Sequence, residues 1–169
     1  MTDPFDLVER LQLAPHPEGG YFRETYRSAE EIPADALSTF PGPRSVSTGI
    51  YYLLVADDFS AFHRIRSDEM WHHYGGSAVV VHVIGTEGGY ESLRVGPGLD
   101  SGEEPQAIVP AGAWFAAEVA DPTGYSLVGC TVAPGFDFVD FEFGNRAELT
   151  RLCPGERELI RRLTREEVG

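Results

Sequence analysis

The residue types that could do chemistry concentrate in one stretch, residues 59–76, which reads FSAFHRIRSDEMWHHYGG. His63 lies six residues before Glu69, and His72 and His73 follow directly. Imidazole and carboxylate groups are the usual general acids and bases, and they are also the usual ligands of Zn, Fe, Ni and Mn. Inward-facing side chains recur at every second residue of a strand, so two short strands joined by a turn bring such groups together inside a barrel. We therefore interpret this stretch as the floor of a small-molecule pocket.

The two adjacent histidines raise a question of orientation. Strict alternation along a strand places Glu69, Trp71 and His73 on one face and His72 on the other. A β-bulge between them would reverse the second half of this pattern. Both histidines therefore stay candidates, His72 as a catalytic or metal-binding residue and His73 as a ligand contact. His82, within an apolar strand, is interpreted as a packed histidine rather than a ligand.

Composition and charge exclude several classes of function. The formal net charge of −14 disfavours a nucleic-acid groove and equally an anionic membrane surface. All 13 basic residues are arginines, which rules out Schiff-base or lysine-base chemistry. No apolar run is long enough to span a bilayer, and the first residues lack the pattern of a signal peptide. The two cysteines, Cys130 and Cys153, are expected to be free thiols of a cytoplasmic protein.

The elements that position these residues are predicted to be short strands. A strand is expected at residues 21–27, and from residue 45 onward segments rich in β-branched and aromatic residues alternate with Gly, Pro, Asp or Ser. This spacing is typical of an all-β sandwich or barrel. Helical periodicity marks residues 4–13 and 146–166. We predict a single domain, residues 1–169, with a barrel over about 20–143. The predicted strands of the later part are 45–56, 60–65, 69–75, 78–85, 90–96, 105–112, 114–119, 125–134 and 136–144.

The chain resembles the cupin superfamily of small jelly-roll barrels. His63, Glu69 and Gly76 match the first His, the Glu and the closing Gly of the first cupin motif, and Pro110 and Gly112 match the P-x-G of the second. Ile65 and Phe115 stand where that family has two further metal-binding histidines. The sequence is most similar to cupin family five, through residues 16–28, 63–72, 109–114 and 134–142. This resemblance implies an all-β, cupin-type antiparallel jelly-roll barrel with short terminal helices, commonly a homodimer, and it favours His72 over His73.

A weaker similarity links residues 20–26 (GYFRETY) to a strand of the dTDP-keto-sugar epimerases, which are metal-free cupins. That resemblance implies an isomerase or epimerase acting on a carbohydrate-like metabolite. His63 would be the base, because its ordinary pKa of about 6.5 suits neutral pH. Glu69 or Tyr21 would orient it or return the proton. The residues predicted to contact the ligand are Arg23, Glu24, Arg64, Trp71, His73, Trp114, Phe115 and Phe138.

Two alternatives stay open at this point. One is a mononuclear metal enzyme holding Fe, Mn, Ni or Zn through His63, Glu69 and His72, with open coordination positions. The other is a non-catalytic module that binds a small molecule in an aromatic cavity. The cofactor prediction is accordingly either none or a single divalent metal, and the predicted partner is a small molecule, with no nucleic acid and no membrane.

Overall fold

The structure, a computed structural model, describes residues 3–165 and consists mainly of antiparallel strands. The helices are α1 (Pro4–Arg10), α2 (Arg146–Leu152) and α3 (Arg157–Arg162). The strands are β1 (Ala14–Pro15), β2 (Tyr21–Arg27), β3 (Glu31–Ile32), β4 (Arg44–Ser45), β5 (Thr48–Val55), β6 (Phe59–Arg64), β7 (Asp68–Gly76), β8 (Val79–Ile84), β9 (Tyr90–Val95), β10 (Gln106–Val109), β11 (Trp114–Val119), β12 (Tyr125–Ala133) and β13 (Glu142–Phe143).

Two sheets form the body of the fold. One has six strands in the order β1-β2-β5-β12-β7-β10, and the other has five in the order β13-β6-β11-β8-β9. Their inner faces share one core, to which Tyr52, Trp71 and Val128 contribute from the first sheet and Val81 and Phe115 from the second. Alternate residues of each strand point into this core, as the pattern of apolar positions predicted. The predicted cupin-type jelly roll is confirmed.

The terminal helices pack on the outside of the barrel. Helix α1 begins at the Asp3 side chain, which accepts a hydrogen bond from the Phe5 amide, and ends at Arg10 rather than at the predicted residue 13. The left-handed backbone of Gln12, with φ 54°, cannot continue a helix. Helices α2 and α3 bury Leu149 and Ile160 against the outer face of the five-stranded sheet, each contributing about 2 kcal/mol by leaving water. The predicted end of the last helical segment, residue 166, lies outside the described residues.

One predicted strand is absent. Residues 136–144 form a turn of 3₁₀ helix at Phe138–Asp140 and then only the two-residue β13. The Asp137 carboxylate accepts a hydrogen bond from the Val139 amide, which begins that turn in place of an extended strand. This segment crosses one end of the barrel and forms part of the wall described below. Within residues 3–165, no helix has both the length and the apolar composition needed to cross a membrane.

Candidate functional site

A cavity of about 260 Å³ opens at one end of the barrel, on the inner face of the six-stranded sheet. Its wall is largely apolar, and most of its polar groups are acids and histidines, an arrangement typical of small-molecule sites. The lining residues are His16, Glu18, Phe22, Glu24, Arg27, Thr48, Ile50, His63, Ile65, Glu69, Cys130, Val132, Phe136, Asp137, Phe138 and Phe141.

A tight turn before β2 carries Glu18 into the barrel. Gly19 and Gly20 have φ values of 118° and 69°, and a Cβ atom on Gly19 would lie 2.0 Å from the Phe59 carbonyl oxygen. Only glycine fits this left-handed and closely packed backbone. The Ala61 amide donates to the Glu18 carbonyl and the Tyr52 hydroxyl donates to the Gly19 carbonyl, at 2.9 and 2.7 Å. The turn is thereby fixed beside β6, which carries His63.

His63 and Glu18 form a buried ion pair. Nε2 of His63 lies 3.0 Å from Oε2 of Glu18, and Nδ1 lies 2.7 Å from the Ala61 carbonyl oxygen. Both ring nitrogens therefore face acceptors, which favours the doubly protonated ring. Burial lowers the pKa of His63, but Glu18 and the Ala61 carbonyl outweigh it and the pKa is raised overall. Burial likewise raises the pKa of Glu18, but His63 outweighs it and the pKa ends below its ordinary value.

His16 lies on the other side of Glu18 from His63. The Glu18 amide donates to its Nδ1 at 3.2 Å, so the neutral ring carries its proton on Nε2. Burial is the main reason that the pKa of His16 is lowered, and the charge on His63 adds to it against the pull of Glu18. At neutral pH the ring is uncharged. The ring lies edge-on to Phe22, with 4.5 Å between centroids.

Glu69 is the second buried carboxylate of the cavity, and it has no cationic partner within ion-pair distance among the described residues. It lies on β7 opposite Val132 of β12 and is 9% exposed. Burial, followed by the negative charge of Glu18, raises the pKa of Glu69 to about 7. His63, the Cys130 thiol and the Trp71 indole favour the charged form but do not outweigh these effects. The Trp71 indole N–H is buried and makes no hydrogen bond of normal length, so it acts on Glu69 only as a nearby dipole. Glu69 thus changes charge near neutral pH.

Aromatic side chains of the irregular segment close the cavity. Phe136 and Phe138 pack edge to face with 4.9 Å between centroids, and Phe141 stacks on the His63 ring at 5.1 Å. The segment is anchored by Asp140, which accepts two hydrogen bonds from the Arg44 guanidinium at 2.7 and 2.8 Å. Both side chains of this pair are buried. A buried ion pair therefore anchors the middle of this segment, and only its last part pairs with β6, through β13.

At the mouth of the cavity stands one arginine, and its charge is already paired. Arg27 donates two hydrogen bonds to the Glu24 carboxylate, at 2.9 and 2.8 Å, and a third to the Phe136 carbonyl at 2.9 Å. The Glu24 hydrogen bond is the largest of the effects that raise the pKa of Arg27. The charge of Arg27 is therefore already taken up by Glu24, and the Asp137 carboxylate lies at the same rim.

The structure brings some of the predicted site residues together. His63, Glu69, Glu24 and Phe138 all line the cavity. Trp71 and Phe115 belong to the core beneath it, where Phe115 packs on the His63 ring with 4.1 Å between centroids. The catalytic and ligand-binding roles predicted for all of these residues stay predictions.

Other predicted residues lie away from the cavity. His72 faces outward, where its Nε2 lies 2.9 Å from the Thr131 hydroxyl. The orientation follows strict alternation along β7, because the register irregularity against β12 falls only after this position. The remaining outlying positions are His73 near the Ser77 carbonyl, Tyr21 against Phe5, Arg23 over the Tyr51 ring, Arg64 paired with Glu142, and Trp114 beneath Arg64 on the outer face.

Sequence reasoning missed two cavity residues in particular, Glu18 and His16. Prolines flank His16, a pattern that is typical of a solvated turn residue, and it nevertheless lines the cavity. The sequence signal that could have found Glu18 is its place directly before the paired glycines in HPEGG. In such a turn the backbone geometry, rather than strand periodicity, decides where the carboxylate lies. His82, interpreted as a packed histidine, is buried on β8 between the Tyr90 hydroxyl and Glu118.

The side chains present do not fit a mononuclear metal. Within residues 3–165, no three His, Cys, Asp or Glu side chains are grouped so as to hold an ion. Of the predicted set, His72 lies on the opposite face of β7, and both nitrogens of His63 are engaged by Glu18 and the Ala61 carbonyl. The three predicted ligands therefore do not converge.

Comparison with solved structures places this architecture in context. A hypothetical protein from Leishmania major superposes with a TM-score of 0.89 at 36% identity, covering 98% of this chain and all of that one. A protein from Shewanella oneidensis gives 0.87 at 35% identity, covering 99% and 100%. Oxalate decarboxylase from Bacillus subtilis, at 15% identity and a TM-score of 0.52, shares the fold alone over 90% of this chain and 37% of its own.

Sequence comparison agrees with the structural one. An uncharacterized protein of Saccharomyces cerevisiae is 33% identical over 149 residues, which is 81% of this chain and 73% of the yeast protein. Residues 5–144 match the family described as "Cupin superfamily (DUF985)". The match spans both sheets and every residue that lines the cavity. The chain therefore belongs to this cupin family.

Proposed function

We propose that the barrel cavity binds a small, carbohydrate-like carbonyl compound and catalyses its isomerisation or epimerisation by proton transfer at the carbon beside the carbonyl. The observation that carries the proposal is Glu69, a buried carboxylate without a cationic partner among residues 3–165, which faces an aromatic-lined cavity beside the His63–Glu18 pair. A general base works best when its pKa lies near the working pH, and the pKa of Glu69 is about 7.

Each polar group of the cavity has a role in this reaction. Glu69 takes the proton from carbon, so that the C–H bond breaks and its electron pair moves into the enolate. His16 donates its Nε2 proton in a hydrogen bond to the developing enolate oxygen, as a neutral imidazole can. In an isomerisation Glu69 then returns its proton to the neighbouring carbon, while the substrate's hydroxyl proton moves to the former carbonyl oxygen through Nε2 of His16. In an epimerisation a solvent water protonates the opposite face of the same carbon and Glu69 releases its proton to solvent, because return of the proton to the face it left would restore the starting configuration.

His63 takes a different role from the base that the sequence suggested. A base needs a free nitrogen lone pair, and both nitrogens of this ring face acceptors. The His63–Glu18 pair instead sets the field around Glu69: Glu18 raises the pKa of Glu69 and His63 lowers it. We therefore assign His63 and Glu18 as positioning residues.

Solvent hydrogen exchange tests the proposal. Wild-type protein is incubated in D₂O with a panel of small hydroxy- and aminocarbonyl compounds, and loss of the α-proton signal is followed by ¹H NMR. We expect at least one compound to exchange, and Glu69→Gln to reduce its exchange rate by on the order of a hundredfold or more, a hundredfold being the lower end of the usual contribution of a general base.

The matched control for this experiment is Glu91→Gln, an exposed glutamate on β9 that does not line the cavity. It removes the same charge from the chain and is expected to retain the wild-type exchange rate. If no compound of the panel exchanges, or if Glu69→Gln exchanges as fast as the control, the proposed reaction is refuted. Binding without exchange would favour the non-catalytic module instead.

A further inference from the structure

The charges that line the cavity are unbalanced in one direction. His63 and Glu18 neutralise each other, as do Arg27 and Glu24 at the mouth. His16 is uncharged at neutral pH because burial lowers its pKa. The groups left over are both acids, Glu69 in the interior and Asp137 at the rim. The cavity therefore carries net negative charge with no cation left to balance it among its described lining residues.

Glu69 is the most informative of these groups. It is 9% exposed, it faces the cavity, and within residues 3–165 it joins no ion pair. A buried carboxylate without a counter-charge is costly, so folded proteins normally pair it. No Arg or His side chain among the described residues lies within ion-pair distance of its carboxylate, although His16 and His63 also line the cavity. A ligand that brings positive charge would supply the missing partner.

The rings that enclose this space favour the same ligand. Phe22, Phe136, Phe138 and Phe141 all line the cavity, together with the His16 ring. The face of an aromatic ring attracts a cation within about 6 Å of its centroid, and the attraction grows when water is excluded. Aromatic rings combined with a carboxylate form the usual recognition site for ammonium groups.

We propose that the ligand of this cavity carries a small organic cation, an amine or a quaternary ammonium group, seated among the phenylalanine rings and attracted by one carboxylate oxygen of Glu69, the other oxygen being the one that takes the proton. This inference rests on the proposed function in naming the substrate class: an amino-substituted carbonyl compound. A volume of about 260 Å³ lies just below the range of about 300–1,000 Å³ for drug-sized ligands, so the ligand is a small metabolite.

An anionic ligand fits less well. The one arginine of the lining, Arg27, already makes two hydrogen bonds to Glu24 and one to the Phe136 carbonyl. A phosphate or carboxylate at this mouth would have to displace Glu24 and then lie close to Asp137 and Glu69. Like charges in a water-poor site repel strongly. The geometry therefore disfavours phosphorylated and nucleotide-linked sugars.

Three probes of matched shape test the inference on the full chain: choline, its neutral analogue 3,3-dimethylbutan-1-ol, and the anion 3,3-dimethylbutanoate. Binding is measured by isothermal titration calorimetry at neutral pH and constant ionic strength. We expect choline to bind roughly tenfold or more tightly than the neutral alcohol, and the anion to bind most weakly. Glu69→Gln is expected to reduce the preference for choline to less than about threefold, with Glu91→Gln as the control that keeps it.

A second variant separates the rings from the carboxylate. Phe22→Leu keeps an apolar side chain but removes a π-face, and it is expected to weaken choline severalfold while leaving the neutral alcohol unchanged. Equal binding of choline and the alcohol, tighter binding of the anion, or no binding of choline at millimolar concentration would each overturn the inference.

The hydrogen-exchange experiment distinguishes this inference from the proposed reaction. Exchange of neutral hydroxycarbonyls without choline preference refutes only the cation, and choline preference without exchange refutes only the reaction.

Discussion

The effect of replacing Glu69 by glutamine on stability is expected to become more favourable as pH rises and the wild-type carboxylate becomes charged. In the folded protein Glu69 keeps its proton up to a pKa of about 7, whereas in the unfolded chain it releases the proton near 4.5. Between these values the folded state binds more protons, so the free energy of unfolding of the wild type falls as pH rises. The contribution of Glu69 is fully present below pH 4.5 and is lost as pH passes through 7.

The size of the effect follows from the same two pKa values. The rise from 4.5 to about 7 corresponds to roughly 3 kcal/mol of stability lost between acid and mildly alkaline pH. Glutamine has no such titration. The difference in the free energy of unfolding, Glu69→Gln minus wild type, should therefore increase by roughly 3 kcal/mol from pH 4 to pH 8, whatever its starting value.

Urea unfolding followed by tryptophan fluorescence measures this difference, because Trp71 and Trp114 are both buried in the folded protein. Glu91→Gln again serves as the control, since it removes one negative charge from an exposed position on β9. Its difference from the wild type is expected to stay nearly constant with pH. If the Glu69→Gln difference is as flat as that of the control, Glu69 is not an unpaired buried carboxylate in the folded protein. The argument for its role as a base would then fail.

Three further variants test how the site is built. Asp140→Asn leaves the buried Arg44 guanidinium without its counter-charge, and we expect a loss of about 3 kcal/mol in urea unfolding; a loss below about 1 kcal/mol would show that the pair does not anchor the wall. Gly19→Ala must place a Cβ atom against the Phe59 carbonyl at a left-handed φ, and should cost at least about 3 kcal/mol, so a melting temperature equal to that of the wild type would contradict the assigned turn. His72→Ala removes a side chain on the outer face. The free energy of unfolding should stay within about 0.5 kcal/mol of the wild-type value, and the α-proton exchange rate should be unchanged. Loss of exchange would show that His72 takes part in the reaction.

The strands of the barrel could be predicted because short segments rich in β-branched and aromatic residues are separated by turn residues. From β5 to β12 Gly, Pro, Asp or Ser marks each turn, and within strands such as β8 every second residue enters the shared core. Burial on one face of each strand selects this pattern directly, so the sequence preserves it. The segment at 136–144 has the same aromatic alternation but a different cause. Most of its phenylalanines line the cavity. Asp137 fixes a turn through a local hydrogen bond, and Asp140 fixes it through the Arg44 guanidinium, remote in sequence.

The site was predictable to the extent that it lies on strands. His63 and Glu69 belong to β6 and β7, and their spacing placed them correctly in one cavity. Glu18 and His16 reach the same cavity from a turn whose geometry depends on contacts with Phe59, Tyr52 and Ala61, remote in sequence. No periodicity encodes such contacts. The local sequence shows that the chain turns at Gly19, but it does not show which side chains the turn places inside the barrel.

Two carboxylates that share one cavity acquire opposite properties because of one histidine. Glu18 hydrogen-bonds to His63 and stays charged, with a pKa below its ordinary value, while Glu69 lacks such a bond and has a pKa of about 7. The charge on Glu18 is itself one of the causes that hold a proton on Glu69. Separation of the pKa values of neighbouring acids is how active sites obtain a fixed charge and a movable proton from the same residue type. A purely structural ion pair would need only Glu18 and His63. Glu69 adds a second carboxylate that lowers the free energy of unfolding by roughly 3 kcal/mol at alkaline pH, and such a cost indicates a function that uses this group.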